Sequence, residues 1–291
     1  MSRIQHIFHP IHTALHVYQR MRIAGQRYRA KQGFVNILRG RQDNCWCGGS
    51  LISFPWNSGY GICSECGCYV NLLPPIQDEL RRFYSFESYW HNRMLSLGYP
   101  TIEEREDNDR RDGRLDYWLQ LVKCYGPSSG RVIEVGCAHG VLLSELSGLG
   151  YDCIGNEPDE QTAQWTRANI GLDVRSGFFP FIELPRCDLF LAFDVIEHSP
   201  VPEEFMRKVY ELLNDNGIAI IQTPIDRYDF MPPFNGKFKE AFNDIEHLFL
   251  FTDKAMEKLA SLTGLTVICA SERLWLHHEI CIFYKPPEQR Y

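Results

Sequence analysis

Three groups of side chains carry chemistry in their type and spacing. The first is Val132-Ile133-Glu134-Val135-Gly136-Cys137-Ala138-His139-Gly140, an apolar run that ends in an acid and a Gly-containing turn. A turn of this kind ahead of a helix leaves backbone N–H groups for a ligand, and glycine lets that ligand come close. Ala138 and Val141 stand where a dinucleotide site needs glycine, and the Gly-Lys-Ser/Thr of a phosphate-binding loop is absent. A carboxylate at the strand end, Glu134, is a poor neighbour for pyrophosphate and a good one for an ammonium group. Glu157 lies 23 residues further on, in Gly155-Asn156-Glu157-Pro158. At the end of the next strand, a carboxylate can accept both hydroxyl protons of a ribose. Either element alone is also compatible with a plain tight turn and a solvated acid. Their shared strand–turn–helix–strand frame favours a ligand with both an ammonium group and a ribose.

The second group is Cys45-x-Cys47-Gly-Gly and, with 15 residues between Cys47 and Cys63, Cys63-x-x-Cys66-Gly. Two thiolate pairs on tight turns make a closed, structural zinc site of the ribbon type, with Cys45, Cys47, Cys63 and Cys66 as ligands and Cys68 as a substitute for one of them. The other six of the 11 cysteines are scattered among apolar neighbours and read as small core residues. The third group is His198, in Asp194-Val195-Ile196-Glu197-His198, and His247, in Asp244-Ile245-Glu246-His247. An imidazole titrates near neutrality and suits proton removal from an acceptor. A capping or pocket-shaping role is an equal alternative for His198.

These groups need elements to hold them. Residues 131–135 read as a strand, followed by a helix with Val141, Leu142, Leu146 and Leu149 on one face. Further strands are expected at 152–155, 172–175, 188–193, 218–222, 265–270 and 279–284. Helices are expected at 159–169, 202–213 and 253–262, the last capped by Thr252. Asn214-Asp215-Asn216-Gly217 has the chemistry of a turn. The alternation predicts an α/β fold: a Rossmann-like, seven-stranded, mostly parallel sheet with helices on both faces, closed by an antiparallel pair. The connection from Thr223 to Phe251 is long and holds Tyr228, Phe230, Phe234, Phe238 and Phe242. It reads as an aromatic cover over a substrate, or equally as a satellite apolar cluster. Tyr84, Phe86, Tyr89 and Trp90 could close the same pocket from the other side.

Taken together, residues 132–140, 154–158, 187–198 and 212–218 resemble the motifs of the class I S-adenosylmethionine (SAM)-dependent methyltransferases, over roughly residues 115–285. Ala138 replaces the family's usual middle glycine. The resemblance implies that Glu134, Gly136 and Gly140 face the methionine half of SAM and that Glu157 holds the ribose. It implies that Phe178 or Phe179 packs on the purine, with core packing as an equal alternative for either, and that Cys137, Ala138, Pro158, Phe193 and Asp194 line the rest of the cofactor pocket. It also makes His198 and His247 the candidate catalytic residues. The cysteine segment resembles the N-terminal zinc modules of some bacterial sugar methyltransferases, without the large C-terminal domain usual there.

The expected organisation is a basic arm at 1–42, a zinc-ribbon-like module at 43–76 and the SAM-dependent domain at 77–291. The arm holds eight Arg/Lys and no acid, whereas the rest carries 22 basic and 37 acidic side chains. The acidic body speaks against a nucleic-acid surface. The arm suits peripheral contact with an anionic membrane, or pairing with the acidic body of its own chain or of another subunit. No run approaches the roughly 18 apolar residues of a membrane span, and no secretory signal is evident, so the expected compartment is the cytoplasm, with membrane association through the arm as an option. The expected acceptor is a small molecule, a sugar or a lipid-linked precursor. The competing expectations are a catalytically silent SAM-fold protein that recruits a partner, and a nucleotide-dependent oxidoreductase.

Overall fold

The computed structural model describes residues 40–99, 101–226, 241–242, 245–275 and 278–287. Nearly all of the basic arm, and Tyr228, Phe230, Phe234 and Phe238 of the aromatic connection, lie outside the described residues.

The central strands are β4 (Arg131–Val135), β5 (Asp152–Glu157), β6 (Asp173–Ser176), β7 (Cys187–Phe193), β8 (Leu213–Asp226), β10 (Thr266–Trp275) and β11 (His278–Tyr284). They lie in the order β6-β5-β4-β7-β8-β11-β10. The pairs from β6 to β8 are parallel, and β11 is antiparallel to both β8 and β10. This is the expected seven-stranded sheet with its closing antiparallel pair.

Successive strand residues point to opposite faces, and both faces here are covered, so the middle strands carry continuous apolar runs such as Leu189–Phe193 and Ile218–Ile221. Ile133, Phe190 and Ala192 pack on one side with Phe205, Val209 and Leu212 of the helix Pro202–Leu212. Val132, Leu189 and Leu191 pack on the other with Leu142 and Leu146 of the helix Val141–Gly148. Fully burying each such side chain contributes roughly 1.5–3 kcal/mol. Local chemistry sets the helix ends. Asp159 caps the helix Glu160–Ile170, Gly171 ends it in a left-handed conformation, and Thr252 caps the helix Asp253–Thr263.

Three features depart from the sequence reading. The stretch Asn214–Gly217 belongs to β8, which starts at Leu213. The chain turns there within the strand: Asn216 is left-handed and a register shift separates Cys187↔Leu213 from Leu189↔Ile218. An unexpected short strand, β9 (Phe249–Thr252), lies inside the long connection. Cys124 is exposed, unlike the buried Cys137, Cys153, Cys187 and Cys281.

Strand β9 joins the cysteine segment to the main sheet. The segment forms a small antiparallel meander of β1 (Leu51–Ser53), β2 (Tyr60–Cys63) and β3 (Tyr69–Asn71). Strand β3 pairs antiparallel with β9, and β9 pairs in parallel with the tip of β8 at Ile225 and Asp226. The meander is therefore hydrogen-bonded into the region that follows the C-terminal edge of β8.

Candidate active site

Parallel strands present their C-terminal ends on one edge, where α/β sheets bind ligands. Two adjoining cavities lie there, of about 140 Å³ and about 710 Å³, and both are lined by Gly136, Ala138, Asp194 and His198. The smaller also meets Asn156, Glu157, Pro158 and Phe178. The larger meets Glu134, Trp118, Phe193 and His247.

The turn after β4 is held from several sides. Gly136 and Gly140 have φ of 71° and 74°. A Cβ at Gly136 would stand 2.6 Å from Val195, and one at Gly140 would stand 2.6 Å from Ile170. Both positions thus require glycine for conformation and for space. The N–H of Ala138 donates to Glu157 Oε2 (3.2 Å), and its carbonyl accepts from Thr166 Oγ1 (2.6 Å). Cys137 is buried, with its N–H on the Asn156 carbonyl and its sulfur against Gly155.

Ala138 itself has φ 48°, a left-handed conformation that costs a non-glycine residue about 1–2 kcal/mol. Glycine would relieve this cost but add chain entropy to the unfolded state. Ala138→Gly is therefore expected to change stability by less than about 0.5 kcal/mol, whereas Ala138→Val should destabilise by about 1–2 kcal/mol. Thermal denaturation of both variants checks the pair. A loss for glycine as large as that for valine would remove backbone conformation as the reason.

Two buried carboxyls flank this turn. Burial, with a smaller contribution from Asp109, pushes Glu134 up to about 8. Its Oε2 has no hydrogen-bond partner in the described structure. Burial likewise pushes Glu157 up to about 8, against the stabilising N–H of Ala138. A buried, unpartnered carboxylate oxygen is costly unless a cation or donor meets it. Glu134 therefore fits an ammonium group, and Glu157 fits donor hydroxyls.

Beside them, Trp118 Nε1 donates to Gln222 Oε1 (3.1 Å), and Gln222 Nε2 donates to Asp194 Oδ1 (2.9 Å). Trp118 stacks on Phe193 at 4.6 Å. Phe178 lines the smaller cavity under the Arg81 guanidinium, 5.9 Å from its ring centre. Its neighbour Phe179 packs against Phe190 and Phe205 in the core.

On the far wall, His198 ends the 3₁₀ turn Ile196–His198 after β7, and His247 precedes β9. Their rings lie 5.2 Å apart. Phe242 lines the larger cavity and also packs with Phe54, Tyr60 and Tyr69 of the cysteine segment. For this residue the cover and the satellite cluster coincide. Tyr89 and Trp90, on the π-helical turn Glu87–Met94, line both cavities, and Tyr84 lines the smaller.

The sequence reading missed a buried ionic cluster next to Glu134. Asp109 is 2% exposed and meets His139 Nε2 (3.0 Å), Arg105 (3.1 Å) and Arg114 (3.5 Å). Its helix, Ile102–Arg111, is so densely charged that it reads as a solvated face. It also missed the paired contact of the Arg93 guanidinium with the Glu246 carboxylate. No local pattern marks that pair, which spans 153 residues.

The four cysteines converge. Cys45 and Cys66 sulfurs are 3.6 Å apart, Cys47 and Cys63 sulfurs 3.5 Å, and all four lie within 4.8 Å of one another. The N–H groups of Glu65 and Cys66 point at Cys63 Sγ. A Cβ on Gly49 would sit 2.5 Å from that sulfur. Four clustered thiols fit one dipositive ion that can hold them as thiolates. Cys68 lies outside this set and donates to the Leu250 carbonyl at 3.2 Å.

Residues 108–270 match a family described as a methyltransferase domain. A ubiquinone biosynthesis O-methyltransferase of Azorhizobium caulinodans is 30% identical over 100 residues, covering 32% of this chain and 40% of that protein. A ubiquinone biosynthesis O-methyltransferase of Rickettsia bellii is 26% identical over 155 residues, covering 50% of this chain and 62% of that one. The matched stretch thus spans less than two thirds of either relative's length. Among solved structures, a SAM-dependent methyltransferase of Mesorhizobium loti shares the fold with a TM-score of 0.51 at 13% identity, covering 60% of this chain and 99% of that one. With the sheet order, the cavities at its edge and a family match over more than half its length, this chain belongs to the methyltransferase-domain family and has the class I SAM-dependent methyltransferase fold.

Proposed function

We propose that this chain moves the methyl group of SAM to a hydroxyl-bearing small molecule held in the larger cavity. The observation that carries the reading is the placement of Glu134, Glu157 and the Gly136–Gly140 turn around cavities whose other wall holds His198 and His247. When bound, SAM supplies a methyl group on a sulfonium sulfur, an already activated leaving group. The protein's work is alignment and proton handling. Glu134 takes the ammonium group, Glu157 takes the ribose hydroxyls and Phe178 covers the purine. The aromatic wall of Tyr84, Tyr89 and Trp90 excludes water. His198 or His247 receives the acceptor's proton, directly or through water. Their Nδ1 atoms lie 2.7 Å and 2.6 Å from the carbonyls of Glu246 and Ala241, and a carbonyl can only accept. In the neutral form the Nδ1 of each ring therefore carries the proton, and Nε2 is the basic atom.

The oxygen acceptor follows the names of the curated relatives, which are O-methyltransferases. Zinc on Cys45, Cys47, Cys63 and Cys66 has a structural part in this reading. No described helix is long and apolar enough to cross a membrane. The larger cavity is lined by titratable groups, among them Glu134, Asp194, His198 and His247, and this favours a catalytic over a silent SAM-fold reading. Incubation with radiolabelled SAM and phenolic, sugar and lipid-linked hydroxyl acceptors tests the proposal. Transfer of label that Glu134→Gln reduces at least tenfold is expected. SAM binding without transfer to any hydroxyl, alongside transfer to an amine, would sink the oxygen assignment.

A further inference from the structure

Glu197, His198 and His247 bring three ligand atoms within 4.8 Å of one another at the back of the larger cavity. We infer that these residues form a second metal site, distinct from the cysteine cluster, that binds a divalent cation facing the acceptor. Two imidazoles and one carboxylate leave coordination positions open for an acceptor oxygen and water, as catalytic sites require.

Each ligand is already oriented from behind. The carbonyls of Glu246 and Ala241 occupy the Nδ1 side of His198 and His247, which leaves Nε2 of each ring as the ligand atom. Metal-binding histidines are characteristically fixed by such a second contact on the other ring nitrogen. The Glu197 side chain is fully buried. Its Oε2 accepts from Thr223 Oγ1 (3.0 Å), while Oε1 has no hydrogen bond and lies 3.9 Å from His198 Nε2. A buried carboxylate oxygen left this way is expensive in a purely structural role, and a cation would resolve it.

The two segments are also tied to each other: Leu248 N–H donates to the Glu197 carbonyl at 2.8 Å. Bonds of about 2.0–2.2 Å place donor atoms about 3.0–3.5 Å apart, so binding needs a contraction of the order of 1 Å. The neighbouring Arg93 does not oppose a cation with an unbalanced charge, because it is paired with Glu246. Asp194, which lines both cavities, adds negative potential nearby.

The role of the ion rests on the methyl-transfer reading, although its binding does not. With the ion bound, both Nε2 atoms are ligands and neither ring acts as the base; the ion takes over that part, because a hydroxyl oxygen on it loses its proton to water at lower pH. That oxygen then bonds to the methyl carbon of SAM. The carbon–sulfur bond breaks, its electron pair stays on sulfur, and neutral S-adenosylhomocysteine leaves.

The test uses full-length protein already loaded with zinc and titrates it with Mn²⁺, followed by loss of the free-ion electron paramagnetic resonance signal. Mn²⁺ favours oxygen and imidazole donors and does not displace zinc from thiolates. One Mn²⁺ per chain is expected, with affinity reduced at least tenfold in both Glu197→Gln and His198→Ala. Circular dichroism confirms that each variant is folded. His198 is partly exposed, so its variant remains informative if the buried Glu197→Gln fails to fold. Absence of Mn²⁺ binding in the unaltered protein, or equal binding in folded variants, would overturn the site. Mn²⁺ binding that follows the variants, with no methyl transfer to any acceptor, would instead overturn the functional reading and leave the cation site standing.

Discussion

Glu157→Ala is expected to weaken SAM binding by about 100-fold, or about 2.7 kcal/mol. Two charge-assisted hydrogen bonds to ribose hydroxyls, worth about 1.5–3 kcal/mol each before water replaces them, set that scale. The variant also removes the acceptor that holds the Ala138 N–H, so part of the loss is disorder of the turn. Glu157→Gln keeps an oxygen for that N–H and should fall between the wild type and alanine.

The pH dependence separates charge from shape. Glu134 and Glu157 are each pushed up to about 8 by burial, so both are largely protonated in the ligand-free protein at neutral pH. Binding an ammonium group and two donor hydroxyls requires them ionised. SAM affinity should therefore rise with pH between about 6 and 8, by up to about tenfold per unit for each proton released, and flatten above 8. Stability of the ligand-free protein has the opposite trend. A carboxyl raised on folding favours the folded state fully below its unfolded pKa, and this contribution is lost as pH rises from about 4.5 through about 8. Calorimetric titration at several pH values and thermal denaturation across the same range measure both trends. SAM affinity independent of pH from 6 to 8 would show that neither carboxyl takes up charge on binding.

The sequence already carries most of what positions this site. Strands such as Val132–Val135 and Leu189–Phe193 are buried on both faces, so the second appears as an unbroken apolar run and the first as one broken only by the site acid Glu134. Caps at Asp159 and Thr252 and the left-handed Gly171 are local events, decided within four residues of chain. The cysteines are legible for the same reason, since metal spacing is a property of short turns.

What escapes is whatever distant segments decide. Strand β9 is four residues, three buried and the half-buried Thr252, too short to show a period, and its partners are β3 and the end of β8. Asp109 is buried only because His139, Arg105 and Arg114 enclose it. The nearness of His198 to His247 depends on the pairing of β9 with the end of β8, a contact between segments distant in the chain. The proline- and aromatic-rich composition of that connection suggests a cover, whereas Phe242, a described aromatic on the cavity wall, belongs as much to the cysteine segment's core.

That last contact leads to a second large effect. In the zinc reading proposed above, Cys66→Ser removes one of four thiolate ligands, and small modules held by four cysteines lose their fold without metal. The consequence should not stop at the module. Strand β3 is the antiparallel neighbour of β9, Thr252 Oγ1 donates to the Cys66 carbonyl at 2.8 Å, and Asn71 N–H donates to the Leu248 carbonyl at 2.9 Å. Tyr60 Oη donates to the carbonyl of His247 at 2.8 Å. Loss of the metal therefore releases the segment that carries His247 while leaving β4, β5 and their glycine turn intact. Zinc content should fall by one equivalent per chain. SAM affinity should stay within about threefold, and kcat/KM for the acceptor should fall at least tenfold, mostly through KM. Tyr60→Phe, which removes only the hydroxyl contact, should reproduce part of the acceptor defect with zinc retained. Equal losses in SAM and acceptor binding for Cys66→Ser would mean that the module supports the whole domain rather than the acceptor wall. An unchanged acceptor KM would mean that β9 keeps His247 in place without the module.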